Sequence, residues 1–256
     1  MIKLKGLSQD QCLEAFPLFP VLVGYRGSIA HGMYVPNSNP NSIDDKDIMG
    51  VTIATSDYYF GLKQFEHKET MIDPWDIVVY ELRKFVRLLI KANPNVLSLL
   101  WLKPEHYVFK NGIGDRLIEN RSLFVSKNIY RAFTGYAYGQ LKRMEHFKFE
   151  GYMGTKRKAL VEKHGYDTKN AAHLIRLLRM GIEFLNDGVL YVFRHDGQQL
   201  LQIKNGEWTL EKVKREAEYL FKRAEEAYDR STLPKEPNKR EINEFLVGLI
   251  KDGMPF

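Results

Sequence analysis

The sequence predicts an α+β protein with a mixed β-sheet in the first part of the chain and mainly helices in the rest. Before residue 110, short apolar runs rich in β-branched residues alternate with turns and amphipathic stretches. Beyond residue 110, apolar residues recur with the 3.6-residue period of helices. We therefore predict a sheet-containing domain over residues 1–110 and a mainly helical domain over residues 111–256.

The first domain alternates between predicted helices and strands. Ser8 can cap a first helix that we expect to end near Ala15. After the first strand, residues 35–42 have the composition of a loop, with two prolines, three asparagines and two serines. In chain order, we predict strands over 20–24, 47–54, 65–71 and 76–80 and helices over 81–91 and 94–101.

The second domain has longer helical patterns and one extended stretch. Residues 189–207 read as extended, and we expect a small hairpin there that turns near Asp196 and Gly197. Helices are predicted over 113–119, 127–149, 169–186, 210–229 and 239–251.

Composition limits the classes of protein to which the chain can belong. Its 256 residues, 44% of them apolar, are enough for one large folded domain or two modest ones. The single cysteine, Cys12, excludes an intramolecular disulfide and a cysteine-rich zinc site. Apolar runs are too short to cross a bilayer, and the first residues lack the layout of a signal peptide. We expect a cytoplasmic protein without a membrane partner.

The net charge of +6 favours acidic partners such as nucleotides or nucleic acid. The excess is local, because residues 142–179 contain ten Lys or Arg against four Asp or Glu. Within this stretch, the basic run 156–158 could contact an RNA backbone without reading its sequence.

A candidate site begins where the first strand meets a glycine-serine turn. Gly27 and Ser28 follow that strand, and Asp45 and Asp47 open the next one. Residues i and i+2 of a strand point to the same face, so the two carboxylates should project together. Carboxylates held this close repel each other unless a cation lies between them, which suggests a divalent metal.

A third acid, Asp76, opens the last predicted strand, so one end of the sheet can gather all three carboxylates. This set suits two magnesium ions, or manganese, that bridge the phosphates of a nucleoside triphosphate. Gly27 would let the backbone approach the phosphates, and the Ser28 hydroxyl would hydrogen-bond to them. Glu81 is the alternative third ligand, although its place before a helix is typical of a cap.

This order of strand, Gly-Ser, Asp-x-Asp strand and third acidic strand resembles the DNA polymerase β-like nucleotidyltransferase superfamily. More narrowly, the chain resembles the RNA-repair-pathway polymerase β-family predicted nucleotidyltransferases of bacteria and phages. The resembling segments are 27–32, 45–51, 76–85, 91–97, 165–169, 173–178 and 203–207.

The resemblance implies a role for each candidate residue. Asp45, Asp47 and Asp76 would be the catalytic metal ligands, and Gly27 and Ser28 would cradle the triphosphate. Lys169, His173 and Arg176 lie at i, i+4 and i+7 of a predicted helix, hence on one face. In the superfamily, such a basic face of the helical domain closes over the triphosphate.

The implied activity is transfer of a nucleoside monophosphate from a triphosphate, such as ATP, to an acceptor hydroxyl with release of pyrophosphate. We expect an RNA 3′ end, and tRNA in particular, as the acceptor. The alternatives are a protein hydroxyl that receives AMP or UMP, a small molecule such as an aminoglycoside, and a non-catalytic RNA-binding protein on the same fold. The sequence leaves open the oligomeric state and the roles of His31 and Asp44.

Overall fold

The computed structural model describes residues 2, 4, 6–36, 46–145 and 155–255. The strands are β1 (Phe19–Tyr25), β2 (Lys46–Ile53), β3 (His67–Ile72), β4 (Trp75–Glu81) and β5 (Tyr107–Lys110). The helices are α1 (Gln9–Ala15), α2 (Gly27–Ala30), α3 (Ser56–Tyr59), α4 (Leu82–Ile90), α5 (Pro94–Ser98), α6 (Gly112–Glu119), α7 (Asn128–Glu145), α8 (Thr155–His164), α9 (Thr168–Asp187), α10 (Gly197–Lys204), α11 (Leu210–Arg230) and α12 (Lys239–Gly253). Short 3-10 turns span Leu99–Trp101, Pro104–His106 and Arg121–Phe124.

These elements divide into two compact units. The sheet unit contains the described residues of 2–34, 46–125 and 237–255. The helical unit contains 35–36 and the described residues of 126–236. The predicted division after residue 110 differs from this one, because α6, the 3-10 turn at 121–124 and the C-terminal helix α12 pack with the sheet unit.

The sheet unit has five strands in the order β3-β4-β2-β1-β5. Strands β2 and β4 are parallel, and the other neighbouring pairs are antiparallel. The inner strands carry continuous buried runs such as 48–53, as expected where both faces of a sheet are covered. The edge strand β3 instead alternates between exposed and half-buried residues.

Side chains from the strands and from the N-terminal segment form one core of the sheet unit. Phe16 after α1 and Trp75 of β4 belong to this core. Its buried members are Ile2, Leu4, Ala15, Phe16, Val23, Ile48, Trp75, Ile77 and Val79.

Local sequence signals explain where the helices of the sheet unit begin. Ser8 and Gln11 form a capping box at α1, as the sequence predicts for Ser8. Asn93 caps α5, whose first residue is Pro94, a residue well suited to the first helical position.

The C-terminal helix α12 completes the sheet unit. Its Ile242 and Leu249 are buried, and Arg116 of α6 donates a 2.6 Å hydrogen bond to Asp252. A Cβ atom on Gly253 would lie 2.8 Å from Ile113, so the end of α12 packs closely on α6.

The helical unit is built around α9. Most of this helix is buried, and it packs against α7, α10 and α11. Asp167 caps α9 by accepting a 2.9 Å hydrogen bond from the Asn170 amide, and Gly188 ends the helix in the left-handed conformation.

An ion-pair cluster joins the end of α9 to the following segment. Arg194 has no exposed side-chain surface, and its Nη2 and Nε each lie 2.8 Å from a carboxylate oxygen, of Glu183 and Asp196 respectively. Arg179 pairs with Asp196 and Glu216, each at 2.8 Å. We call Arg179, Glu183, Arg194, Asp196 and Glu216 the structural ion cluster.

The predicted hairpin over 189–207 is wrong. Residues 197–204 form helix α10, and the segment before it is irregular and forms no strand among the described residues. Its residues alternate between buried and exposed, which mimics a strand pattern: Leu190, Val192 and Arg194 are buried, whereas Tyr191 and Phe193 are exposed.

Candidate active site

Two of the three predicted acids lie side by side at one end of the sheet. Asp47 of β2 and Asp76 of β4 are register partners on neighbouring parallel strands. Their side chains are 24% and 31% exposed, so both are partly shielded from water and still accessible. Register partners on adjacent strands project to the same face, which brings the two carboxylates together.

Arg26 connects the two acids. Its Nη2 lies 2.8 Å from Asp76 Oδ2 and 3.8 Å from Asp47 Oδ1. The Arg26 amide also donates a 2.9 Å hydrogen bond to the Asp47 carbonyl, which continues the β1–β2 pairing past the end of β1. One guanidinium nitrogen thus lies within reach of both carboxylates.

The glycine-serine turn packs directly on Asp47. Gly27 has a φ of +60°, a conformation that L side chains rarely adopt, and a Cβ atom there would lie 2.0 Å from Asp47 Oδ2. Any side chain at position 27 would therefore displace the carboxylate. The next residue, Ser28, has a buried Oγ that forms no hydrogen bond with the described residues.

The third predicted ligand, Asp45, lies outside the described residues, as does Asp44. Among the residues that the structure describes, no three His, Cys, Asp or Glu side chains are grouped to hold a metal ion. The described part of the site is therefore the pair Asp47 and Asp76, together with Arg26 and the turn.

Glu81 lies at the other end of β4, paired in register with Thr52. Its buried carboxylate accepts hydrogen bonds from the Arg83 and Lys84 amides, at 2.9 and 3.4 Å, and so caps α4. The Tyr59 hydroxyl donates a further 2.9 Å bond to it. Burial, and then the charge of Glu81, raise the pKa of Tyr59. Glu81 is thus a helix cap, remote along β4 from the acid pair.

The three predicted basic residues all lie on α9. Lys169 and His173 are half-buried, and Arg176 is 7% exposed. Burial, and then the nearby charge of Arg194, lower the pKa of Arg176 from 12.5 to about 9, although the charge of Asp196 opposes the shift. Their role in binding a triphosphate stays a prediction.

Comparison with known proteins identifies the family. The model of the RNA repair pathway DNA polymerase beta family matches residues 19–248, most of the chain. The chain belongs to this family. The resemblance inferred from the sequence is thereby confirmed, and so is the α+β fold with its mixed sheet and mainly helical remainder.

The other comparisons do not extend this family assignment. A nucleotidyltransferase-like protein from Exiguobacterium sibiricum 255-15, known from a crystal structure, matches over 96% of this chain and 79% of its own. The sequence identity is 10% and the TM-score is 0.29, too low to support an argument from the likeness. No curated protein matches the sequence. None of the helices in the described ranges is both long and apolar enough to cross a membrane.

For this member of the RNA repair pathway DNA polymerase beta family, sequence reasoning missed one residue of the site. Arg26 lies between the first strand and Gly27, and no sequence pattern predicts a role for it. Its place beside Asp47 follows from the antiparallel register of Tyr25 with Ile48, which the structure shows and the sequence alone does not fix.

Proposed function

We propose that this protein is a metal-dependent nucleotidyltransferase that moves a nucleoside monophosphate from a nucleoside triphosphate to a hydroxyl at an RNA 3′ end, with tRNA as the preferred acceptor. Family membership supports the nucleotidyltransferase class. Metal dependence and the RNA acceptor go beyond that class and are part of the proposal.

One observation carries the proposal: Asp47 and Asp76 converge beside a turn whose buried Ser28 hydroxyl has no hydrogen-bond partner among the described residues. A buried polar atom without a partner costs free energy unless a ligand satisfies it. The Ser28 Oγ can hydrogen-bond to a phosphate oxygen, and the partly exposed acids beside it can hold the cations that accompany phosphate.

The residues present fit a divalent metal. Oxygen ligands from carboxylates are those that magnesium and manganese prefer. Asp47 and Asp76 would hold the metal, with Asp45 from the segment outside the described residues as the third ligand. When bound, the ions would supply positive charge that offsets the phosphates and lowers the pKa of the acceptor hydroxyl.

The protein groups have separate tasks in the reaction. The acceptor oxygen forms a bond to the α-phosphorus, the bond from that phosphorus to the bridging oxygen breaks, and pyrophosphate leaves. Asp76 accepts the proton of the acceptor hydroxyl. Gly27 keeps the turn free of a side chain, and Ser28 donates to the phosphates that will leave.

An RNA acceptor is favoured by two observations. The family that matches the chain is described as part of an RNA repair pathway. The chain also carries a net charge of +6, which favours association with a polyanion. Lys169, His173 and Arg176 are proposed to contact the triphosphate.

The test is incubation of the protein with each labelled nucleoside triphosphate and Mg²⁺, in parallel with total RNA, tRNA and a protein lysate. We expect label in RNA, with the largest incorporation into tRNA. Chelation of the metal and the variant Asp47→Ala should each abolish incorporation.

Asp252→Asn is the matched control, because it removes a carboxylate of the same unit that pairs with Arg116 away from the acid pair. This variant should transfer label like the wild type. Label found in protein and absent from RNA would refute the proposed acceptor. Salt-sensitive RNA binding with no transfer of any nucleotide would refute the reaction itself.

A further inference from the structure

Arg26 occupies the position between two acids that the proposed function assigns to a cation. Its Nη2 contacts Asp76 at 2.8 Å and lies 3.8 Å from Asp47. A metal ion bound by these carboxylates needs metal–oxygen distances of about 2.1 Å. A guanidinium group and a metal ion cannot occupy this space together.

We propose, resting on the proposed function, that Arg26 is an exchangeable counter-ion of the active site. Without metal, the guanidinium offsets part of the charge of Asp47 and Asp76 and holds them together. When a divalent ion binds, Arg26 leaves the carboxylates and binds the phosphates of the nucleoside triphosphate.

Charge explains why the exchange is needed. Two carboxylates that both lie within 4 Å of one guanidinium nitrogen repel each other, and one guanidinium offsets only part of their charge. A divalent ion offsets all of it, so the metal displaces the arginine. The guanidinium group contacts Asp76 through its Nη2 at 2.8 Å, and the Arg26 side chain is 25% exposed. Such a partly exposed ion pair is weak enough to exchange.

The Nε donor of Arg26 indicates which group the side chain binds after it leaves the carboxylates. Its Nε is buried and has no hydrogen-bond partner among the described residues, although the same guanidinium bonds to Asp76. The buried, unpaired Oγ of Ser28 lies two residues away on the same turn. A phosphate offers several acceptor oxygens, and a guanidinium pairs with it through two parallel hydrogen bonds. Phosphate would thus satisfy two buried groups that have no hydrogen-bond partner among the described residues.

The exchange predicts that Arg26 opposes metal binding and favours phosphate binding. Coupling between two ligands of one protein is reciprocal, so the triphosphate should strengthen metal binding as much as metal strengthens triphosphate binding. A purely structural arginine would have no such pair of opposite effects.

The experiment measures two affinities separately in Arg26→Met. Binding of Mn²⁺ alone is followed by its electron paramagnetic resonance signal, and binding of inorganic triphosphate by calorimetry in buffer that contains a saturating concentration of Mg²⁺. We expect Mn²⁺ to bind about tenfold more tightly than in the wild type and triphosphate to bind about tenfold more weakly, within the usual range of coupling between sites.

Two further variants make the result interpretable. Arg116→Met removes an arginine of the same unit that pairs with Asp252, and it should leave both affinities unchanged. Arg26→Lys keeps the charge but loses the two-pronged contact, so triphosphate should bind more weakly than in the wild type while Mn²⁺ affinity stays close to it. If circular dichroism shows that Arg26→Met does not fold, the affinities of Arg26→Lys test the exchange instead.

Affinities that both fall, or a Mn²⁺ affinity that does not change in Arg26→Met, would overturn the exchange. So would a wild-type protein that binds no Mn²⁺. The proposed function is tested separately, by label transfer. If the wild type transfers label but both affinities fall in Arg26→Met, or its Mn²⁺ affinity does not change, the exchange is rejected and the proposed function stands. Absence of transfer would reject the reaction and leave the two affinities to decide the role of Arg26.

Discussion

The two units each contain a cluster of arginine and carboxylate side chains, and the clusters differ in how fully their groups are paired. In the structural ion cluster of the helical unit, Arg194 bonds to Glu183 and Asp196 through three of its nitrogens. At the acid pair of the sheet unit, Arg26 is shared between two carboxylates and its Nε has no partner among the described residues.

The difference separates a cluster that stabilises the fold from one that is arranged for a ligand. Burial opposes the charge of Arg194, but its hydrogen bonds to Glu183 and Asp196 outweigh that effect and raise its pKa. All three guanidinium nitrogens of Arg194 are already bonded to carboxylates. The acid pair keeps unpaired donors and accessible acids, so a ligand can complete it.

The largest effect on stability should come from breaking the structural ion cluster. Arg194→Met takes a fully buried partner away from both Glu183 and Asp196, and Asp196 keeps its pair with Arg179. We expect the free energy of unfolding to fall by about 3 kcal/mol, as for other broken buried pairs. Urea unfolding measures it, and Arg240→Met, which removes an exposed pair with Glu244, should change little. Equal effects of the two variants would contradict the comparison.

A smaller loss is expected from Gly27→Ala in the sheet unit. The substitution forces alanine into a left-handed conformation and puts its Cβ 2.0 Å from Asp47 Oδ2. We expect a loss of about 2 kcal/mol in unfolding free energy and complete loss of nucleotide transfer. Gly135→Ala is the control, because a Cβ on this helical glycine meets nothing within 4 Å. It should stabilise the protein by about 0.5 kcal/mol, and transfer at wild-type rate by Gly27→Ala would rule out the tight turn as part of the site.

The structural ion cluster should also make stability depend on pH. Burial opposes ionisation of Asp196, but hydrogen bonds from Arg194 and Arg179 outweigh it and lower the pKa below the ordinary 3.8. The stabilisation is therefore complete above pH 3.8 and is lost as the pH falls through the lower, folded-state value. Unfolding free energies of wild type and Asp196→Asn should differ by about 1.5 kcal/mol at neutral pH and converge in acid. A difference that does not depend on pH would show that the charge of Asp196 does not matter.

The smallest effect on stability is expected at the acid pair itself. Asp76 is 31% exposed, and its pair among the described residues is with a partly exposed arginine, so Asp76→Asn should change the unfolding free energy by less than about 1 kcal/mol. Nucleotide transfer should nevertheless be lost. Thermal unfolding and the labelled-triphosphate assay on the same preparation test this separation. A large destabilisation would place Asp76 with the structural residues.

Much of the sheet unit could be predicted because local and long-range signals agree there. The apolar run that forms β1, the β-branched residues of β4 and the Ser8 cap of α1 each indicate the element that forms. β5 was not predicted, because its four residues are half-buried or exposed and its pairing with β1 is set by the fold.

The helical unit shows where periodicity misleads. Residues 189–194 alternate between exposed and buried as a strand would, because Arg194 is drawn inward by the carboxylates of Glu183 and Asp196. An ion pair can thus bury a charged residue at a position where a strand pattern has a buried apolar residue. The sequence alone does not distinguish the two cases.

For the site, sequence spacing predicted that Asp47 and Asp76 share one end of the sheet, and their register on β2 and β4 agrees with this. The part played by Arg26 could not be read from spacing, because its contact depends on the angle at which the chain leaves β1. Asp45 lies outside the described residues, so its place among the ligands stays a prediction.

Helix α12 has a consequence for the order in which the molecule can assemble during synthesis. Chains emerge from the ribosome N-terminus first, and domains tend to fold as they appear. The strands are made early, yet the helix that covers α6 and buries Ile242 and Leu249 is made after the whole helical unit. Residues 126–236, the larger segment of the helical unit, can therefore fold before the sheet unit, which must wait for α12 to complete its packing.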